Sequence, residues 1–99
     1  MPGLEQLTAD IRRLAHPQRI VLFSQKTAPD GSPAAVKLCV IISEGDPHQV
    51  EQHLYLEIDT DFPFDALVYT AAQWDALSRV PYSLAHRAAE SGRVLYEAE

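Results

Sequence analysis

The chain has 99 residues, 46% of them apolar, with eight Lys and Arg against fourteen Asp and Glu and a formal net charge of −6. That length supports one globular domain, residues 1–99, with a single core, and excludes two. The acidic balance argues against a nucleic-acid binder, whose phosphate contacts need a basic face.

The longest uninterrupted apolar stretch, Leu38 to Ile42, is five residues, whereas a membrane span needs about 20. Glu5 and Asp10 interrupt the N-terminal segment, which has no apolar region before a small-residue cleavage site. The expectation is a cytoplasmic protein with no membrane partner. Cys39 is the single cysteine. It cannot close an intramolecular disulfide and makes a poor start for a zinc site, and its place in an apolar run reads as core.

Leu4, Leu7, Ile11 and Leu14 recur at helical spacing and predict a helix over roughly 4–15, stopped by His16-Pro17. Arg19-Ile20-Val21-Leu22-Phe23 follows as an unalternating run, expected of a strand covered on both faces. Residues 24–34, with Pro29, Asp30-Gly31 and Pro33, read as a loop. A second strand spans Val36 to Ile42 around Lys37. Asp46-Pro47-His48-Gln49 offers an N-cap and a first-turn proline for a helix near 47–58. Phe64 to Tyr69 reads as a third strand whose one ionisable group before the tyrosine is Asp65. Thr70 and Gln73 have capping-box spacing and open a short helix near 71–79, with Trp74 and Leu77 expected to face inward. A last helix near 83–91 ends at Gly92, expected to be left-handed, and Val94-Leu95-Tyr96 closes the chain as a strand. The fold class is therefore α/β (α+β), a small mixed sheet of three or four strands with four helices.

This order resembles the minimal nucleotidyltransferase domains of the DNA polymerase β-like superfamily. Arg19 to Phe23 looks like the family's first strand, and Phe64-Asp65-Ala66-Leu67-Val68-Tyr69-Thr70 like its third. Glu90-Ser91-Gly92-Arg93-Val94-Leu95-Tyr96-Glu97 is similar to its closing segment. The similarity runs from about residue 4 to 97. The resemblance implies a nucleotidyltransferase-like fold and a specific chemistry. A Gly-Ser turn after the first strand holds nucleotide phosphates, and two aspartates at i and i+2 on the second strand join a third from the third strand. Together they bind two magnesium ions for in-line phosphoryl transfer.

The chain departs from that pattern. Ser24-Gln25 stands where Gly-Ser is expected, the paired aspartates fall at Ala35 and Lys37, and Asp65 alone remains. One carboxylate facing an ammonium is a poor magnesium site. Asp59-Thr60-Asp61 has the right spacing but reads as a solvated turn. The Gly31-Ser32 pair, taken as the phosphate turn, would put the metal positions near Ile41 and Ile42. His48 and His53 are five apart and do not form a local metal pair. His16 carries no signal, and His86-Arg87 reads as a helix face. Phe62, Phe64, Tyr69 and Trp74 read as core and rim packing, and Lys26 as a loop cation.

The resemblance therefore implies a degenerate member: a pseudoenzyme, holding no metal or cofactor, that acts by binding another protein. The family pairs with small helical HEPN-type chains in prokaryotic toxin–antitoxin modules, which makes a HEPN-type partner, or alternatively a homodimer, the expectation. The competing expectations are an active transferase moving a nucleoside monophosphate from a triphosphate to a hydroxyl, using magnesium and Asp65, and a regulatory module that binds a nucleotide without turning it over. On the family register, Lys37 and Asp65 lie on adjacent strands with their side chains on one face, within reach of an ion pair.

Overall fold

A computed structural model describes residues 3–60 and 62–98 and contains four helices and one four-stranded mixed sheet. Helix α1 spans Leu4–Ala15, strand β1 Arg19–Thr27, strand β2 Pro33–Ile42 and helix α2 Pro47–Glu57. Strand β3 spans Phe64–Thr70, helix α3 Ala71–Leu77, helix α4 Leu84–Ser91 and strand β4 Arg93–Glu97. The sheet order is β3-β2-β1-β4, with β2 and β3 parallel and the other two pairs antiparallel. Among the described residues no helix is long and apolar enough to cross a membrane.

The two-faced burial expected of β1 and β2 is what the packing shows. Ile20, Leu22, Leu38, Val40 and Ile42 point to one side, where Leu7 and Ile11 of α1 and Leu54 of α2 cover them. Val21, Cys39 and Ile41 point to the other, under Trp74 of α3 and Ala85 and Ala88 of α4. The result is a helix–sheet–helix sandwich. Cys39 is fully buried, and burial pushes its thiol up to about 12.

The helix starts are set by side chains. The Asp46 carboxylate accepts from His48 N at 3.0 Å. Thr70 Oγ1 accepts from Gln73 N at 3.1 Å while Gln73 Oε1 accepts from Thr70 N at 3.0 Å, the expected capping box. His16 stops α1 in a left-handed conformation, φ 48°. The second aspartate of Asp59-Thr60-Asp61 lies outside the described residues.

The structure corrects the sequence reading at three places. Ser24 to Thr27 continue β1, and the loop shrinks to residues 28–32, closed by Ala28 N to Ser32 O at 2.8 Å and Gly31 N to Ala28 O at 2.9 Å. Asp30 accepts from Ser32 Oγ at 2.6 Å and from Ser32 N at 3.0 Å, bonds that hold its carboxyl below the usual range. Gly92 is extended, φ −75° and ψ 164°, instead of left-handed. Glycine is required there by close packing, since a Cβ would collide with the Ala88 carbonyl and lie 2.6 Å from Val21 Cγ1. Leu77 is exposed, because α3 ends at that residue and the chain turns away.

Candidate functional site

The sheet's register decides which of the sequence-marked residues meet. Phe23 is an extra residue in β1, so Leu22 pairs with Leu38 but Ser24 pairs with Lys37. A bulge of this kind switches which face the following side chains take. Ser24 and Lys26 thereby join the α3–α4 side, and Gln25, opposite Val36, turns to the other. Lys37 in turn pairs with Asp65. Ser24, Lys37 and Asp65 form one row across three strands, with Lys26 and Ala35 paired beside it on the same face. The row has no helix over it: Ser24, Lys26, Lys37 and Asp65 are all exposed, and Ala35 is half-buried.

Lys37 and Asp65 thus stand on adjacent strands as the register required, but the expected ion pair does not form. Among the described residues the ionic contacts within 4.0 Å are Asp10–Arg13, Arg19–Glu97 and Asp75–Arg79, with Glu90–His86 joining them only when the imidazole is protonated. Both members of the Lys37–Asp65 couple are hydrated, and water screening removes most of the drive to close. The lone acid of the third strand needs no partner because it is not buried. Ser24 and Gln25 are extended strand and offer no turn of converging backbone amides to a phosphate. Among the described residues, no three His, Cys, Asp or Glu side chains gather to hold a metal ion. His48 and His53 are exposed on α2.

A second feature escaped the sequence reading. Between α3 and α4 the chain crosses residues 78–83, where Val80 and Tyr82 are exposed, as is Leu77 immediately before them. Tyr82 is 93% exposed in left-handed backbone, φ 69°, an unfavourable region for a residue with a bulky side chain. The strap is nevertheless held in place. Ser83 Oγ donates to Leu77 O at 2.7 Å and accepts from His86 N at 3.0 Å. Ser83 N donates to Val80 O at 3.2 Å. His86 Nδ1 lies 2.8 Å from Ser78 O; a carbonyl can only accept, so Nδ1 carries the proton. His86 Nε2 faces Glu90 Oε1 at 3.2 Å, so this histidine ties the strap to α4 instead of lying on a solvated face. The available signal was Val80, Pro81 and Tyr82, three consecutive apolar residues shortly after Leu77, in a segment that proline keeps from being helix.

The two sheet edges differ. On β3, Ala66 N donates to Tyr55 Oη at 2.8 Å and Val68 N to Glu51 Oε2 at 3.1 Å, so side chains of α2 occupy the edge where a further strand would pair. Partial burial holds the Tyr55 phenol above its ordinary range, against the Ala66 N–H, which favours the phenolate. The aromatic residues pack as expected: Trp74 is buried beside Tyr69, ring centroids 5.6 Å apart, and Tyr55 stacks on Phe64 at 5.2 Å.

No family model, curated protein or solved structure matches the chain in comparison.

Proposed function

We propose that this chain is a catalytically degenerate domain of nucleotidyltransferase type that acts by binding another protein, with the strap between α3 and α4 as the docking surface. The observation that carries the reading is Tyr82, held almost wholly in solvent on left-handed backbone beside exposed Leu77 and Val80. Folding does not ask for this arrangement, since glycine would take that backbone without strain. Interfaces reward it: tyrosine is a frequent anchor, and a strap already fixed by hydrogen bonds loses little freedom when covered.

The Ser24–Lys37–Asp65 row supports the non-catalytic half of the reading, because one carboxylate beside an ammonium does not supply the oxygens two magnesium ions require. Occluding a partner needs neither metal nor nucleotide. The family resemblance gives the partner class, a small helical HEPN-type chain.

The test combines two measurements on the intact chain. Incubation with ATP and magnesium is followed by thermal shift and by mass spectrometry for added adenylate on the chain and on a co-expressed HEPN-type protein. Silence in both, with a complex that Tyr82→Gly dissolves while the fold is kept, is the expected result. Adenylate transfer would overturn the pseudoenzyme reading in favour of an active transferase, a thermal shift without transfer would replace it with a nucleotide-binding module, and a complex indifferent to Tyr82→Gly would remove the strap.

A further inference from the structure

The outer side of β4 faces a groove against α1 whose charge runs opposite to that of the chain. Two adjoining concavities of about 440 and 270 Å³ share Ala9 and Arg12 and form a single trough between helix and strand. Arg12, Arg13, His16 and Tyr96 line one end, and Arg93, Leu95 and Glu5 the other, so three guanidinium groups face the trough against one carboxylate. The Arg12 guanidinium lies 4.2 Å above the Tyr96 ring. Among the described residues no carboxylate comes within 4.0 Å of Arg12 or Arg93, and Arg13 reaches Asp10 only at 3.5 Å. Stacking fixes Arg12 in place without using its donors.

A bulge in β4 produces this segregation of charge. Tyr96 pairs with Ile20 but Val94 pairs with Val21, leaving Leu95 as the extra residue. Arg93, opposite Leu22, therefore falls on the α1 side, while Glu97, opposite Arg19, falls on the other and is tied there by a 2.6 Å ion pair. Without the bulge the two would share a face. β4 is also the terminal strand with no side chain of the described residues bonded to its outer backbone, whereas β3 is capped by Tyr55 and Glu51.

We propose that this groove binds an acidic extended segment of a partner protein, added to the edge of β4. The segment's backbone pairs with the strand, alternate carboxylates turn toward Arg12, Arg13 and Arg93, and the intervening apolar side chains meet Val94, which is exposed on the opposite face. A chain of net charge −6 that keeps Arg12 and Arg93 without a carboxylate partner among the described residues, in one trough, presents that trough to carboxylates, which favours an acidic segment over a second copy of the chain. The inference is independent of the strap.

The test uses the full chain, ¹⁵N-labelled, titrated with a terminally blocked octapeptide of alternating glutamate and valine and with its lysine–valine counterpart. The expected result is a saturable change at the amides of Arg93 to Glu97 and at those of the last turn of α1, caused by the acidic peptide alone and weakened by added salt. Arg93→Gln, which removes no ion pair or side-chain hydrogen bond among the described residues, and Arg12→Gln with Arg93→Gln should weaken it progressively, by about tenfold for each arginine lost. Arg87→Gln on α4, the control for net charge, should change it little. No saturable change at β4, equal binding of both peptides, or equal weakening by Arg87→Gln would overturn the proposal, whatever the strap does.

Discussion

Removing the Tyr55 hydroxyl should open the β3 edge. In Tyr55→Phe the ring stays stacked on Phe64, 5.2 Å away, so packing is preserved and the change isolates the hydrogen bond from Ala66 N at 2.8 Å. A neutral bond of this kind contributes about 0.5–1.5 kcal/mol net. Tyr55 is 46% exposed, so water can reach the orphaned N–H, and we expect the lower half of that range, about 1 kcal/mol or less. Glu51→Ala removes the other cap, the carboxylate that accepts from Val68 N at 3.1 Å, at a cost of about 1–2 kcal/mol because the acceptor is charged. The two bonds serve different amides, so the double variant should lose roughly the sum, about 1.5–3 kcal/mol. Urea midpoints give the free energies, and amide exchange at Ala66 and Val68 should accelerate in the matching variant alone. The double variant should also self-associate in sedimentation, since a bare edge invites pairing. Unchanged exchange at Ala66 in Tyr55→Phe would mean that water already satisfies that amide and would refute the capping argument.

Three further outcomes follow from the geometry. Lys37→Ala should cost about 1 kcal/mol or less by urea melting, because Lys37 and Asp65 are both exposed and form no ion pair with each other; a loss above 3 kcal/mol would show a buried pair. Ala35→Asp with Lys37→Asp should create calorimetrically measurable manganese or magnesium affinity, since both new carboxylates join Asp65 on one face; no heat would separate this face from the two-metal register. Cys39 should resist thiol reagents until the chain unfolds, and its folded value of about 12 against the ordinary 9.0 fixes the sign of the pH effect. The contribution is fully present below pH 9 and is lost as pH rises toward 12, at about 1.4 kcal/mol per unit, so Cys39→Ala should flatten the alkaline decline in urea stability.

Periodicity and capping chemistry made most of the architecture legible. The 3–4 spacing of Leu4, Leu7, Ile11 and Leu14 marked α1 to the residue, and Thr70 with Gln73 marked the start of α3. The misses share a cause, which is that they depend on a neighbour strand or helix. Ser24 to Thr27 are polar and read as loop, but backbone pairing with β2 makes them strand. Gly92 looked like a helix-ending glycine, while its real constraint is Val21 and the Ala88 carbonyl beside it. Neither bulge, at Phe23 or at Leu95, leaves a mark in composition, yet each chooses the face on which a candidate site residue lies. The adjacency of Lys37 and Asp65 was legible, whereas Ser24, read as loop, was not placed beside them; the strap was missed because Leu77 read as inward-facing and nothing local marks Val80 and Tyr82 as exposed.

Exposure leaves the row free to vary without loss of the fold. Ser24, Lys37 and Asp65 lie where no helix covers the sheet, so their identities are not constrained by packing. The residues one register step away, Leu22, Leu38 and Ala66, are buried and belong to the core between sheet and α1–α2. Substitution in the first set alters chemistry at little cost in stability, whereas Leu38→Ala would leave a cavity costing about 2–5 kcal/mol. Fold and chemistry are thus carried by alternate residues of the same strands. On the reading proposed above, that separation permits a sheet built for phosphoryl transfer to keep its shape after the carboxylates are gone. What remains selectable is the surface the shape displays, the strap on one side of the sheet and the arginine groove on the other.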